Sequence, residues 1–566
     1  MDKNKQMKGC DIVIKCLELH GVETIFAYPG GQSLELHQAL QRSDKIRVIL
    51  PRHEQGGAFA ADGFARASGK VGVCMATSGP GATNLVTGIA DAYMDSVPVV
   101  FITGQVPTTL IGKNAFQETD IIGITRPIVK HSYLVLDAMD LPRIMKEAFY
   151  LAAEGRPGPV MVDVPKNVQQ QLCEPDFDAP MSLEYYNPAP KPSAETIELI
   201  RAAIRKSKRP CIYSGGGIIT AEAAGDLLKF AESYNIPLTT TLMGLGVMPA
   251  SHPLNLRWLG MHGTVYANNA ANECDLLLAF GARFDDRVTG NPKTFAEGAY
   301  IIHVDIDQSE INKNKTADLA VVADIKAVLQ ALNENPEYQE NSAWHQQIRQ
   351  WKTKFPLTYK KKPGKIQPQF VVEKLWEMTG GNAIIVPGVG QHQMFSAQYY
   401  VPNAPRHFLT SGGLGSMGFG LPAAMGAKVA CPDALVINID GDGSFQMNLQ
   451  EMGTIHMENI PIKMIILNNQ HLGMVAQWED RFYGSCRGNT VLTNVRVDRP
   501  YPDFVTIAKG YDIPGLEVYE ESEIIPALET MLKAEGSFLL DIHTGYEEHV
   551  LPMIPPGKSY KHIITE

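Results

Sequence analysis

Two oxygen-bearing residues 27 positions apart suggest the first chemistry: Asp442, in Asp440-Gly441-Asp442-Gly443-Ser444-Phe445, and Asn469, in Leu467-Asn468-Asn469. A carboxylate and an amide oxygen are hard ligands, suited to Mg²⁺ bridging to phosphates rather than to a soft metal. Each closes an apolar run, residues 434–439 and 462–467, that reads as a buried parallel strand. A helix expected over about 447–458 joins them and brings both strand ends to one edge of a sheet. Open α/β sheets take ligands at that edge. Singly, Gly-Asp-Gly reads as a turn and Asn-Asn as a loop. Together and in this order they point to a diphosphate–Mg²⁺ site.

A second candidate is Glu54, in Arg52-His53-Glu54, which opens a helix of mostly Gly, Ala and Phe. A carboxylate there stabilises the helix dipole. In apolar surroundings it would also have a raised pKa and could share a proton near neutral pH. Gly79-Pro80-Gly81 is either a plain turn or a place where a ligand approaches the backbone at a helix start.

The elements behind these residues alternate from the start. Apolar runs at 25–27, 48–50, 71–75 and 97–102 each lead into a turn or a helical pattern, the signature of a parallel sheet covered on both faces. Proline density from Pro175 to Pro192 marks a linker, after which Gly215-Gly216-Gly217, Gly281-Ala282-Arg283 and Asp305-Ile306-Asp307 end further strands. Gly-rich and acidic strand ends suit a nucleotide, although the Gly-x-Gly-x-x-Gly fingerprint is absent and an unliganded domain reads equally well. Alternation resumes from Phe370. The expected divisions are 1–185, 193–335, a polar linker at 336–368, 369–550 and a tail at 551–566. Doubly wound α/β is the fold class.

With 566 residues, 45% hydrophobic and 20% charged, the chain is an ordinary globular one of several domains. A net charge of −11 argues against nucleic acid as a partner. Eight scattered cysteines without a Cys-x-x-Cys pair suggest neither a zinc nor a disulfide framework and fit a reducing compartment. No apolar run reaches the ~18 residues of a membrane span, and no leader pattern precedes residue 11. A cytoplasmic location is the expectation.

In combination, Arg52-His53-Glu54, Gly441-Asp442-Gly443 and Asn468-Asn469 around a nucleotide-like domain resemble thiamine diphosphate enzymes. Three further segments narrow the resemblance: Lys113-Asn114-Ala115-Phe116-Gln117-Glu118, Arg283-Phe284-Asp285-Asp286-Arg287 and Gln470-His471-Leu472-Gly473-Met474-Val475-Ala476-Gln477-Trp478. With these the chain resembles the catalytic subunit of acetohydroxyacid (acetolactate) synthase, of the biosynthetic FAD-binding type.

The resemblance implies three domains: pyrimidine-binding, central Rossmann-like and FAD-binding, and diphosphate-binding. It implies decarboxylation of pyruvate and condensation with a second pyruvate, giving 2-acetolactate, or with 2-ketobutyrate, giving 2-aceto-2-hydroxybutyrate. These steps begin valine, leucine and isoleucine synthesis. Asp442, Asn469 and the His471 carbonyl would ligate Mg²⁺. Gln391, His392, Gly415, Met417, Gly441, Gly443, Ser444 and Met474 would hold thiamine diphosphate. Glu54 of a neighbouring subunit would bond its aminopyrimidine, so a homodimer or homotetramer is implied, with a possible regulatory small subunit. Gln117, Lys166 and Arg287 would line the substrate channel, and Trp478 would favour 2-ketobutyrate. A structural, non-redox FAD would lie on Arg156, Gly215, Gly216, Gly217, Gly281, Arg283, Asp305 and Asp324. Gln32 and Phe395 depart from the family pattern.

Overall fold

The computed structural model describes residues 6–183, 186, 188–493 and 502–566, so both limits of the expected first domain, 1 and 185, lie outside the described residues. Its framework is three parallel sheets. The first has the order Arg47–Ile49, Thr24–Ala27, Gly72–Ala76, Val99–Gln105, Val160–Pro165, His131–Leu134. In the second the order is Asn255–Trp258, Leu238–Thr240, Pro210–Ser214, Leu276–Phe280, Tyr300–Asp305, Leu319–Val322. The third runs Ile384–Pro387, Val436–Gly441, Lys463–Asn468, Phe538–His543, Gly515–Val518. The central strands are buried along their whole length, as continuous apolar runs between two helical layers must be.

The Gly/Ala-rich helices join the first sheet's layer to the third. Helix Glu54–Ser68 crosses helix Gly420–Ala430 so closely that a Cβ on Gly63 would stand 2.2 Å from the Ala423 carbonyl oxygen. A Cβ on Gly426 would stand 1.9 Å from that of Ala60. Only glycine permits this approach, and one apolar core then runs through both layers, from Phe59 to Phe419 and Met452.

Two expectations change. The helix expected over 447–458 is shorter, Glu451–Met457, and a separate single turn, Asp442–Phe445, precedes it with a break between them. In the break, the Asn448 side-chain amide donates to the Gly418 carbonyl at 2.8 Å, taking the residue out of a helical run. The segment read as a polar linker carries the helix Ser342–Lys354. Its Trp344, Ile348 and Trp351 form an apolar stripe at helical spacing against the second sheet, and the Trp344 indole donates to the Pro210 carbonyl at 3.0 Å. The final residues fold back as well: the Ile554 N–H donates to the Met261 carbonyl at 2.8 Å.

Candidate active site

The strands Val436–Gly441 and Lys463–Asn468 are paired neighbours, with Gly441 opposite Leu467, so the residues that follow them come out side by side. Asp442 is 2% exposed, and one of its oxygens accepts from the Asn469 N–H at 3.4 Å. Burial pushes its carboxyl up to about 7. Among the described residues it has no cationic partner, which fits a cation from outside the chain. Asn469 folds into a tight turn, its side-chain oxygen accepting from the His471 N–H at 3.0 Å. Its amide donates to Gln391 at 3.3 Å, and Gln391 in turn donates to Gln477 and to the Glu548 carbonyl, each at 2.9 Å. The His471 ring stacks on Tyr546 at 4.3 Å. Asp442 and Asn469 therefore lie on a loop pair stiffened from behind.

Facing this pair is the loop from Ser411 to Gly418. The Gly418 N–H donates to the Ser444 hydroxyl at 3.0 Å, and the Met417 thioether end lies by Gly443, 3.5 Å from where its Cβ would be. Gly415 has φ 74, a left-handed turn that favours glycine. Behind the loop lies a buried charge cluster that sequence reasoning missed. Arg66 pairs with Asp62, Asp91 and Asp95. Asp91 accepts from the hydroxyls of Ser411 and Ser416, and Asp95 from the N–H groups of Gly412 and Gly413 at 2.8 and 2.7 Å. Only the i,i+4 spacing of Asp62 and Arg66 signals it in the sequence.

A cavity of about 1660 Å³ runs from the Asp442 loop into the middle sheet. Gln391, His392, Gly415, Met417, Gly441, Gly443, Ser444, Asn469, His471, Met474 and Trp478 line it at one end. Arg156, Gly215, Gly216, Gly217, Gly281, Arg283, Asp305 and Asp324 line it toward the other, with Arg287. Here the glycines let two strand ends pack backbone on backbone at the cavity wall: a Cβ on Gly215 would stand 2.0 Å from the Gly281 carbonyl oxygen. Arg156 is already engaged, pairing with Asp307 at 3.0 Å and Glu310 at 2.6 Å. Asp324 caps the helix Ile325–Glu334 through the Lys326 N–H, and burial pushes Asp305 up to about 6. The Arg287 guanidinium stacks over the Trp478 indole at 5.8 Å, joining the helices Asp286–Thr289 and Gly473–Phe482, the two residues being 191 positions apart in sequence.

The cavity wall does not include Glu54, Gln117 or Lys166. These three belong to the first domain's own sheet edge. Glu54 accepts from the Asn84 amide at 2.9 Å and lies beside Gly81. Gln117, with φ 60, packs its backbone on Gly79, and the Lys166 ammonium donates to the Gly31 carbonyl at 2.8 Å. Gln32 is tied into the same edge, its N–H donating to Thr77 at 3.2 Å, whereas Phe395 is wholly buried. The candidate residues thus fall into two separate groups, one lining the cavity and one at the first domain's sheet edge.

Three family models match the chain: the N-terminal TPP-binding domain of thiamine pyrophosphate enzymes over residues 7–124, their central domain over 197–332 and their C-terminal TPP-binding domain over 388–542. Among curated proteins, acetolactate synthase 1, chloroplastic, of Oryza sativa subsp. japonica is 55% identical over 99% of this chain and 88% of its own length. Acetolactate synthase 2, chloroplastic, of Zea mays is 55% identical over 100% and 89%, and acetolactate synthase, chloroplastic, of Arabidopsis thaliana 53% over 99% and 84%. Each of these relatives is named as chloroplastic, which contradicts the cytoplasmic location expected above. Composition and cysteine usage speak only for a reducing interior and do not tell one such compartment from another.

Proposed function

This chain belongs to the acetolactate synthase family of thiamine diphosphate enzymes, and from that premise we propose how its residues divide the reaction. The reaction decarboxylates pyruvate and joins the two-carbon unit to pyruvate or 2-ketobutyrate. Thiamine diphosphate, when bound, supplies the electron sink that lets CO₂ leave. Asp442, Asn469 and the His471 carbonyl would hold Mg²⁺ on its diphosphate. In support, the buried Asp442 carboxylate has no cationic partner among the described residues, and its loop is braced before any ligand arrives. Met417, Gly415 and Ser444 form the opposing wall. The glycine cradle at Gly215, Gly217 and Gly281 fits a dinucleotide laid against bare backbone, which supports FAD in the middle domain.

Arg287 would receive a ketoacid carboxylate, and Trp478 beneath it would pack the extra methyl of 2-ketobutyrate. Glu54 would bond the aminopyrimidine from a second copy of the chain, with Gln117 and Lys166 completing the channel. The single observation that carries this assembly is that the cavity holding Asp442, Arg287 and Trp478 is walled without Glu54, Gln117 and Lys166. A homodimer at least is then required. The test is purified full-length protein with pyruvate, thiamine diphosphate, Mg²⁺ and FAD: acetolactate forms, and 2-aceto-2-hydroxybutyrate joins it when 2-ketobutyrate is added. A protein that binds thiamine diphosphate and makes neither product refutes the reading; one that is active yet purifies colourless refutes the FAD.

A further inference from the structure

A fully buried carboxylate lies between the first and third domains and does not line the cavity. Glu451 stands nine residues after Asp442 and opens the helix Glu451–Met457. It is 0% exposed. One of its oxygens accepts from the N–H of Arg52 at 3.0 Å and of His53 at 3.1 Å. The other accepts from the Arg52 N–H at 3.1 Å and from the Thr454 hydroxyl at 2.7 Å. The residue after those two amides is Glu54. A Cβ on Gly56 would stand 2.3 Å from the Glu451 oxygen, so the carboxylate lies flat against the first turn of the Glu54 helix. Burial pushes the Glu451 carboxyl up to about 7, and hydrogen bonds to the ionised form are about twice as strong as those to a neutral acceptor. Here they fix the backbone on which Glu54 is carried. The Arg52 guanidinium tightens the same joint, donating to the Leu50 carbonyl at 2.8 Å.

We infer that Glu451 is a positioning residue for Glu54, clamping the Arg52 and His53 amides so that the Glu54 carboxylate is presented at a fixed place. The inference rests on the role proposed above for Glu54. Its consequence is specific to the divided site. The segment that carries Asp442 for one active site also carries Glu451, which aims the activating acid of the next. The two sites of a dimer are therefore joined through nine residues of a single chain.

A buried domain staple would share this geometry but not the following behaviour. Glu451→Gln keeps the side-chain volume and leaves one acceptor oxygen in place of two. In the full-length apoprotein, hydrogen exchange at the Arg52 and His53 amides then speeds up at least about tenfold, because a clamped N–H is released. In protein loaded with thiamine diphosphate and Mg²⁺, exchange of the thiazolium C2 proton into D₂O slows by roughly 10- to 100-fold, the usual cost of a misplaced group. Affinity for thiamine diphosphate and flavin content stay within about twofold. The double variant Glu54→Gln/Glu451→Gln is no slower than Glu54→Gln alone, since the clamp acts through that acid. Unchanged C2 exchange in Glu451→Gln, or a loss that multiplies with that of Glu54→Gln, overturns the inference. Normal exchange in Glu54→Gln itself overturns instead the role of Glu54. Should Glu451→Gln not fold, Glu451→Asp keeps the charge one methylene short and gives a smaller loss of the same kind; unchanged exchange there is equally fatal.

Discussion

If each active site takes Asp442 from one chain and Glu54 from another, two inactive variants can repair each other. The perturbation is a pair: Glu54→Gln, which keeps an intact metal and diphosphate half, and Asp442→Ala, which keeps an intact Glu54. Neither homodimer holds a complete site. In a mixed dimer one site joins the first variant's Asp442 to the second variant's Glu54 and is whole, while the other site lacks both. Random pairing makes half the dimers mixed, and each has one whole site of two, so about a quarter of the activity of the parent protein returns. Selecting mixed dimers with two different affinity tags raises this to about half. The assay is acetolactate formation per chain after co-expression, compared with each variant alone. The cavity without Glu54 on its wall is the observation that motivates the experiment. If Glu54 serves the Asp442 of its own chain, both sites of the mixed dimer are broken and nothing returns. Activity no higher than the sum of the separate variants refutes the divided site.

Other outcomes follow from single residues. Glu54→Gln slows acetolactate formation by roughly 10²–10⁴-fold, the usual worth of general acid–base help, with thiamine diphosphate still bound; a full rate would remove its role. Trp478→Leu shifts the ratio of 2-aceto-2-hydroxybutyrate to acetolactate in a two-ketoacid competition by about 1–3 kcal/mol of discrimination, and an unaltered ratio would discard the indole's part. Arg66→Met strands three buried carboxylates and costs about 3–5 kcal/mol in urea unfolding. Burial already raises the Asp62 and Asp91 carboxyls, so the folded state takes up protons that the unfolded chain does not, and stability falls as pH rises. Without Arg66 this deepens: the deficit is larger at pH 8 than at pH 5.5, and an equal deficit at both would refute the charge-balance account.

Much of this was legible in order along the chain. Continuous apolar runs specify parallel strands because both faces of such a strand are buried, and Gly-Asp-Gly and Asn-Asn straddle the ends of two of them. Hard oxygen donors at one sheet edge are thus a local property, readable from strand, turn and spacing. The Gly/Ala content of residues 56–67 was legible only as apolar surroundings for Glu54; that it lets Gly420–Ala430 pack closely against them came from the fold. Local signals misled where a side chain or a stripe overrode them, as at Asn448 and in the helix around Trp344.

Tertiary structure alone decided what meets what. Arg287 and Trp478 stack, the cluster of Arg66 with three aspartates braces the Ser411–Gly418 loop, and Glu451 reaches back 398 residues to the His53 amide. No spacing rule encodes such contacts, because they arise between separately folded layers whose packing is set by the shapes of whole faces. The place of Glu54 away from the cavity has the same origin. Sequence supplies each half as a strand end with its own turn chemistry, and the packing of helix Glu54–Ser68 on Gly420–Ala430 sets Glu54 off the cavity that Asp442 lines.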